Sequence, residues 1–437
     1  MPLSHAQLSS LKKASHEVLA EATSFLQQLV RIDTTNPPGL NYREIACLIE
    51  DHLKGLKYDT QLLAVDATDL AALAPHDEDA NERVNVLGRL KSSSKTPKMV
   101  GEREKCIHFN GHTDVVPCGD RDTWTHDPFG AEIVDGIMYG RGVSDMKGGI
   151  AAGVWAVECI KRAGLVLQGT VEQSGCVDEE STGVRNAGAG WLVEQGHISP
   201  KTVDAVVITE PLNVDNVCLG HRGAIWGEIT FHGLASHGAT PQRGINALVH
   251  ASTFVVRAMK TIQKQLVGLE DDRVIPEEAR GPSLTFSVLQ SGANTNSVPD
   301  LATLRFDRRL VPSESLAVAR AQIQGVLDDV QKEFPEIRYK IKELYHTEPV
   351  WVDENLEICK IFTGAVESAS GVKAGIVCSP GSDDQRFFVR GGIAQTIVYG
   401  PGDIKNVHNK DEALSLEDLR KSIEVMAIGV AEFLGVD

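Results

Sequence analysis

Hydrophobic and polar positions in the first half of the chain, up to about residue 211, follow two alternating patterns. Apolar residues three and four apart, as at Ile45, Ile49 and Leu53, are typical of a helix with one buried face. Helices are predicted at residues 18–30, 41–56, 147–162 and 187–194. Short apolar runs predict strands at residues 61–65, 84–90, 106–109, 169–174 and 205–208. Strands that alternate with helices favour an α/β fold with a mostly parallel, mixed sheet.

The pattern changes after Pro211 into the order strand, helix, strand, strand, helix, strand. The predicted elements are residues 224–231, 246–266, 283–290, 302–306, 314–334 and 337–344. This β-α-β-β-α-β order is that of a small ferredoxin-like domain. From about residue 346 the α/β style returns and ends in a helix that begins with a capping box at residues 415–418. We therefore expect one α/β domain, residues 1–214 and 346–437, interrupted by an α+β insert at residues 215–345.

Composition narrows the class of protein. A chain of 437 residues exceeds the size of one hydrophobic core, and its net charge of -17 argues against a nucleic-acid-binding surface. No stretch of about 18 apolar residues predicts a membrane span, and residues 1–13 lack an apolar signal core. The eight cysteines are scattered without C-x-x-C spacing, which is typical of reduced, mostly buried thiols. We expect a cytoplasmic protein.

Acidic and histidine residues concentrate in five segments, most of them where a predicted strand ends. The segments are residues 109–114, 142–149, 176–183, 208–211 and 399–408. Taken singly, each has an ordinary explanation: His112 as a surface histidine, Asp145 as a helix N-cap and residues 178–180 as a solvated acidic turn. Taken together, two histidines and three carboxylates are the ligands of a pair of divalent ions. If Glu180 binds metal, the adjacent Glu179 stays free to transfer protons.

In these segments the chain resembles the metallopeptidase family of acetylornithine deacetylase, succinyl-diaminopimelate desuccinylase, aminoacylase and glutamate carboxypeptidase. Four motifs carry the resemblance in order: G-H-x-D at residues 111–114, R-G-x-x-D-M-K-G-G at 141–149, D-E-E at 178–180 and P-G-x-x-x-x-x-H at 401–408. The resemblance covers nearly the whole chain. It implies a metallopeptidase-type catalytic domain interrupted by a ferredoxin-like lid domain, through which two copies form a homodimer.

The resemblance also assigns roles to individual residues. It implies two divalent metal ions held by His112, Asp145 (bridging), Glu180, Glu210 and His408. It makes Glu179 the general base on the bridging water. Asp114 supports His112, since a carboxylate two residues after a ligand histidine can accept the hydrogen bond of the other ring N–H. In the insert, residues 233–247 and 292–299 resemble two lid motifs, which assigns carbonyl polarisation across the dimer interface to His237 and a substrate contact to Asn296. Arg309, in the D-R-R segment, is assigned to a substrate carboxylate, with a structural ion pair to Asp307 as its alternative.

One segment departs from the family pattern. Where many relatives carry G-T-S-D-A-R, this chain has G-S-D-D-Q-R at residues 381–386, which places Ser382 and Asp383 at substrate-facing positions and adds an acid. Residues 221–223, at the entry to the lid, are further candidates for facing the substrate.

The expected activity is therefore hydrolysis of the amide bond of a small-molecule substrate, an N-acyl amino acid or a short peptide. An aminohydrolase that releases ammonia from an aryl amine such as nitroanthranilate is the alternative. A non-catalytic binding protein is disfavoured because Glu179 and every ligand are present. Zinc suits the ligands best, and Mn²⁺ and Co²⁺ are compatible with them.

Overall fold

The computed structural model describes residues 2–73, 81–180 and 187–437. The chain divides into two compact units. The first comprises Met1–Leu219, Val352–Val377 and Asp383–Asp437, and the second comprises Gly220–Trp351 and Cys378–Ser382. The insert predicted from the sequence, residues 215–345, begins and ends a few residues before the main segment of the second unit, Gly220–Trp351.

The elements are given in chain order. Up to residue 221 the helices are α1 (His5–Arg31), α2 (Tyr42–Gly55), α3 (Ala67–Leu73), α4 (Gly148–Arg162) and α5 (Ala189–Glu194). The strands of this part are β1 (Asp59–Ala64), β2 (Val84–Leu90), β3 (Met99–Val100), β4 (Arg103–Glu104), β5 (Cys106–His112), β6 (Glu132–Val134), β7 (Ile137–Tyr139), β8 (Thr170–Cys176), β9 (Ala205–Ile208) and β10 (Asn216–His221).

The middle part contains β11 (Gly223–His232), β12 (Ser236–His237), α6 (Ala247–Leu266), β13 (Ser283–Ser291), β14 (Ser297–Val298), β15 (Leu301–Leu310), α7 (Leu316–Glu333), β16 (Arg338–Thr347) and β17 (Val350–Trp351). The last part contains α8 (Glu357–Ser370), β18 (Gly375–Ser379), α9 (Gln385–Arg390), β19 (Thr396–Val398), β20 (Ala413–Ser415) and α10 (Leu416–Leu434). Within the described residues, no helix is both long enough and apolar enough to cross a bilayer.

The first unit is built on a mixed sheet with the strand order β1-β2-β8-β5-β9-β19-β10. Neighbours from β8 to β19 are parallel, whereas β1–β2, β2–β8 and β19–β10 are antiparallel. The predicted mixed α/β sheet is confirmed, with its parallel part at the centre. Every residue of β5, β8 and β9 is buried, as expected for parallel strands that are covered on both faces. The carboxyl ends of these three strands therefore meet at one edge.

Close packing at the start of α4 fixes its position against this edge. A Cβ atom on Gly149 would lie 1.9 Å from the carbonyl oxygen of Thr209, the residue after β9. Since no side chain fits there, only glycine allows α4 to approach the backbone beside Glu210. The D-M-K-G-G segment thus brings the turn before α4 to the end of β9.

The second unit has the antiparallel strand order β13-β15-β11-β16. With α6 and α7 this gives the predicted order β-α-β-β-α-β. One face of the sheet packs against both helices through residues such as Ile229, Phe254, Leu304 and Ile323. Side chains alternate along a strand, so residues such as Trp226 and Arg309 lie on the opposite face.

Two local predictions differ from the structure. Helix α1 begins at His5, well before residue 18, because Ser4 and Gln7 form a capping box and Leu11 and Ala14 extend its buried face. The polar segment of residues 92–104, whose Pro and Gly predict a mobile surface loop, contains the short antiparallel pair β3–β4. In both places short-range backbone hydrogen bonding overrides a polar composition.

Candidate metal centre

Three parallel strands deliver acidic and histidine side chains to one edge of the first unit's sheet. His112 is the last residue of β5, Glu179 and Glu180 follow β8, and Glu210 follows β9. Two loops complete the set. Asp145 lies in the turn of residues 143–147 directly before α4, and His408 lies in the loop that precedes β20.

The five predicted ligands meet in one cluster, with Asp145 at its centre. The Nε2 atom of His112 lies 3.1 Å from Asp145 Oδ1 and 3.3 Å from Glu210 Oε1. The Nε2 atom of His408 lies 3.3 Å from Asp145 Oδ2 and 3.1 Å from Glu180 Oε1. Each carboxylate oxygen of Asp145 thus faces a different imidazole, which is the arrangement of a bridging ligand.

The donor atoms fit divalent cations. Ligand atoms of His112, Glu179 and Glu210 lie within 4.8 Å of one another, and so do those of His112, Asp145 and Glu180. Burial and the neighbouring Asp145 raise the pKa of Glu180 to about 7, and burial raises the pKa of Glu179 and Glu210 well above the ordinary range. Among the described residues no lysine or arginine forms an ion pair with these carboxylates. Cations would offset the cost of so many buried acids.

Asp114 holds the cluster together in two ways. Its backbone carbonyl lies 2.9 Å from His112 Nδ1, whereas its carboxylate Oδ1 is 3.6 Å from that nitrogen. The carboxylate instead accepts hydrogen bonds from the backbone N–H of Glu180 at 2.9 Å and of Glu179 at 3.3 Å, and from Asn36 Nδ2 at 3.0 Å. Asp114 therefore orients His112 through its main chain and the Glu179–Glu180 turn through its side chain.

Asp178, the first acid of D-E-E, is a structural residue. It forms a fully buried ion pair with Arg83 at 2.9 Å and accepts a hydrogen bond from the Tyr42 hydroxyl at 3.1 Å. Its φ of 62° lies in the left-handed region, where the backbone turns sharply away from β8. This buried pair anchors the turn that presents Glu179 and Glu180.

Glu412 is a supporting residue that the sequence did not single out. Its buried carboxylate accepts hydrogen bonds from the backbone N–H groups of Gly142 at 3.2 Å, Ser144 at 3.0 Å and Asp145 at 3.0 Å. It also pairs with Arg141 at 2.6 Å. The only signal in the sequence was an acid four residues after His408. Glu412 fixes the backbone of the turn that carries Asp145.

We expect Glu412→Gln to destabilise the protein by about 3–5 kcal/mol, the cost of breaking a buried ion pair. The amide nitrogen of glutamine would also face backbone N–H groups that need an acceptor. Urea unfolding of the metal-free protein measures the change directly. Glu367→Gln, on the exposed face of α8, is the matched control and should change the unfolding free energy by less than about 0.5 kcal/mol. Equal stability of the two variants would contradict the anchoring role.

Two predicted substrate-binding segments come together in the second unit. Strands β12 and β14 pair so that His237 lies opposite Ser297, and the Gly238 N–H donates to the Asn296 carbonyl at 2.7 Å. The imidazole of His237 is exposed, and its Nδ1 accepts a hydrogen bond from the Ala239 N–H at 3.0 Å. In the neutral ring the proton therefore lies on Nε2, which points away from this contact.

The remaining candidates have local partners. Arg309 Nε donates to both carboxylate oxygens of Asp307, at 2.9 and 3.0 Å, so the ion pair considered from the sequence is present. Ser382 Oγ lies 2.9 Å from the Tyr345 hydroxyl. Asp383 is buried in the first unit, where burial raises its pKa to about 6 and one oxygen accepts from the Gln385 N–H.

Comparison with known proteins agrees with this description. Residues 108–431 match the model of Peptidase family M20/M25/M40. The dipeptidase Dug1p from Saccharomyces cerevisiae has a TM-score of 0.74 at 17% identity, over 98% of this chain and 99% of its own. Human carnosine dipeptidase 1 has a TM-score of 0.71 at 17% identity, over 99% of this chain and 100% of its own. The M20 family metallo-carboxypeptidase Sso-CP2 from Sulfolobus solfataricus has a TM-score of 0.71 at 16% identity, over 94% of this chain and 99% of its own. At these identities the structures establish a shared fold.

Proposed function

This chain belongs to peptidase family M20/M25/M40, and on that premise we propose that it hydrolyses the amide bond of an N-acyl amino acid or short peptide with a free carboxylate. Membership makes it a metal-dependent hydrolase of C–N bonds. The observation that carries the proposal is the cluster in which Asp145 faces both His112 and His408.

Two sets of residues would hold the metal ions. His112, Asp145 and Glu210 would bind one ion, and Asp145, Glu180 and His408 the other. Imidazole nitrogen with carboxylate oxygen suits Zn²⁺ best, and Mn²⁺ and Co²⁺ also accept these ligands. When bound, the ions would lower the pKa of the attacking water and stabilise negative charge on the scissile carbonyl.

Glu179 is proposed as the proton carrier. Among the described residues its carboxylate has no ion pair and accepts no hydrogen bond, whereas the Glu180 carboxylate pairs with His408. Its oxygen can therefore accept a proton from the attacking water and deliver it to the leaving nitrogen. The Asp114 carboxylate holds the Glu179 backbone while this transfer occurs.

The second unit would supply the remaining contacts with the substrate. His237 would donate from Nε2 to the scissile carbonyl oxygen, a contact that strengthens as charge develops there. Asn296 is linked to the same ribbon by the Gly238 hydrogen bond, which favours a joint role. Arg309 keeps its two terminal nitrogens free of hydrogen bonds with described residues, so they remain available to a carboxylate while Nε binds Asp307. Ser382 would adjoin this carboxylate.

A substrate screen tests the proposal. The metal-loaded protein is incubated with N-acyl amino acids, dipeptides and aryl amines, and carboxylic acid and ammonia are assayed separately. Release of an acid or amino acid that a chelator abolishes would support the proposal. Ammonia without acid would favour the aminohydrolase alternative and direct attention to residues 381–386.

Arg309→Ala should raise KM only for substrates with a free carboxylate.

The homodimer proposed from the family resemblance has a candidate surface on α6. This helix exposes Val249, Val256 and Met259 on one side, with 49%, 69% and 40% of each residue accessible. Exposed apolar residues in a row along a helix are typical of an interface.

We expect Val256→Glu to convert a dimer into a monomer, because a charge at the centre of an apolar interface remains unpaired. Size-exclusion chromatography with light scattering measures the mass. Val372→Glu, 49% exposed in the first unit, is the control and should leave the dimer intact. A monomeric wild-type protein, or a dimer that survives Val256→Glu, would contradict this surface. Since His237 would act on the partner's substrate, the monomer should also lose turnover.

A further inference from the structure

We propose that Arg222 is a second substrate-binding arginine, whose positive charge balances the free carboxylate of the substrate beside Arg309. The inference rests on the proposed function and gives a specific role to a residue that the sequence marked only as one of three candidates for facing the substrate. It concerns the second unit alone, where Arg222 lies between β10 and β11.

Arg222 is a buried cation that forms no ion pair with any residue the structure describes. Only 7% of the residue is exposed. Its side chain makes one hydrogen bond, from Nη2 to the carbonyl oxygen of Gly281 at 3.0 Å, and its buried Nε has no partner among the described residues. Burial and the nearby Arg309 guanidinium lower the pKa of Arg222. Buried charges are otherwise paired, because removing an ion from water is costly.

Other buried arginines of this chain follow the usual rule. Each of four forms an ion pair with a buried or nearly buried acid: Arg83 with Asp178, Arg141 with Glu412, Arg308 with Glu314 and Arg420 with Glu424. A fifth, Arg386, forms no ion pair among the described residues, but it donates to the Asp383 carbonyl at 2.8 Å and lies beside the carboxyl groups of Asp383 and Asp384. Four buried guanidinium groups are thus paired with an acid of their own, and Arg222 is not.

The acids that act on Arg222 are already engaged. Glu314 pairs with Arg308, and Asp307 pairs with Arg309. Arg222, Arg308 and Arg309 outnumber Asp307 and Glu314, so these five residues together carry one surplus positive charge. One carboxylate would balance it. The charge surplus assigns that carboxylate to Arg222, because the charge of Arg309 is compensated by Asp307.

The sheet brings the two arginines to neighbouring positions. Ala224, two residues after Arg222, pairs directly with Arg309 across β11 and β15. Arg222 directly precedes β11, and the alternation of that strand places it in the row of Ala224, diagonal to Arg309. Diagonal neighbours on one face of a sheet are about 7–8 Å apart, within reach of long side chains. The Trp226 ring lies 5.7 Å from the Arg309 guanidinium and supports it from the same face. A carboxylate has two oxygens and can accept from both guanidinium groups at once.

The test compares Arg222→Gln and Arg222→Lys with the wild type. The probes are an N-acetyl amino acid and its methyl ester, which lacks the negative charge. A hydrogen bond to a charged group is worth about 1.5–3 kcal/mol, or about a 10- to 100-fold change. We expect Arg222→Gln to raise KM for the acid by that factor and to change kcat little. KM for the ester should be unaffected. Arg222→Lys should recover part of the loss in the binding of the acid. Arg320→Gln, an exposed arginine of the same unit paired with Glu343, is the control.

A stability measurement separates binding from a structural role. Because Arg222 has no counter-ion in the described part of the chain, Arg222→Gln should leave the Tm unchanged or raise it, whereas Arg308→Gln should lower the Tm by breaking a buried pair. A fall in Tm equal to that of Arg308→Gln, with KM unchanged, would overturn the proposal. So would a Tm increase with chloride alone, lost in Arg222→Gln, since an inorganic anion would then occupy the site.

Failure of the proposed function would give a different result. If the wild type hydrolyses no amide, calorimetry of the acid and the ester with the metal-loaded protein still decides the role of Arg222. Binding of the acid that Arg222→Gln weakens would support the carboxylate site without the hydrolase activity. Equal binding of acid and ester to wild type would overturn the carboxylate site whatever the activity.

Discussion

Replacing Glu179 with glutamine is expected to lower kcat by about 100- to 10,000-fold while the metal content stays unchanged. Glutamine keeps the shape of the side chain but cannot accept a proton. The structure separates this residue from its neighbour, because the Glu180 carboxylate pairs with His408 and that of Glu179 has no such partner among the described residues. Steady-state kinetics and metal analysis on the same preparation measure both quantities.

Glu180→Gln is the matched comparison for this experiment. It changes the adjacent residue in the same way, and it should reduce bound metal and activity together, because a ligand is lost. The Glu179 oxygen also lies within 4.8 Å of ligand atoms of His112 and Glu210, so a role as ligand is the competing assignment. Loss of metal from Glu179→Gln would establish that role, and an unchanged kcat would exclude Glu179 as the base.

The D-E-E segment shows what a sequence can and cannot specify. From the sequence, three adjacent acids are alike, and only the family resemblance distinguishes their roles. In the structure Asp178 pairs with the buried Arg83, Glu180 pairs with His408 and Glu179 is unpaired among described residues. Arg83 lies 95 residues before Asp178, and His408 lies 228 residues after Glu180. Partners that far apart are set by the tertiary fold, which local spacing does not encode.

The meeting of the proposed ligands at the strand ends was predictable for a physical reason. Each follows a short apolar run, and the carboxyl ends of parallel strands share one edge of a sheet. His112, Glu180 and Glu210 meet there because β5, β8 and β9 are parallel neighbours. Asp145 also had an ordinary explanation as a helix cap. Helix α4 begins after Lys147 and has no side-chain cap, so Asp145 is not its N-cap.

Supporting residues were harder to predict because one carboxylate can bind several groups. Glu412 accepts hydrogen bonds from three backbone N–H groups of a turn about 270 residues earlier in the chain. Asp114 was expected to contact His112 through its carboxylate, but its backbone carbonyl makes the shorter contact. Such choices between main-chain and side-chain oxygen depend on local backbone direction.

The two arginines of D-R-R lie on opposite faces of the sheet, because side chains alternate along β15. Arg308 is therefore buried, and Arg309 lies on the open face.

Asp145→Asn is expected to weaken binding of both metal ions, by more than the 10- to 100-fold (about 1.4–2.7 kcal/mol) typical of losing a supporting residue. Its Oδ1 faces His112 and its Oδ2 faces His408, so one substitution affects both halves of the cluster. An asparagine amide replaces one of the two anionic oxygens with a hydrogen-bond donor, which repels a cation. Titration of the metal-free protein against a chromophoric chelator measures the two affinities.

Variants at the ends of the cluster make this prediction specific. Glu210→Gln and His408→Asn remove ligands from opposite sides, so each should weaken one ion and largely spare the other. Asp353→Asn, an exposed acid of the same unit, should leave both affinities unchanged. If Asp145→Asn weakened a single ion, Asp145 would be a terminal ligand and the two histidines would serve sites that share no carboxylate. If it weakened neither ion, the contacts of Asp145 with His112 and His408 would be hydrogen bonds of a metal-free cluster, and the two-ion assignment would be wrong.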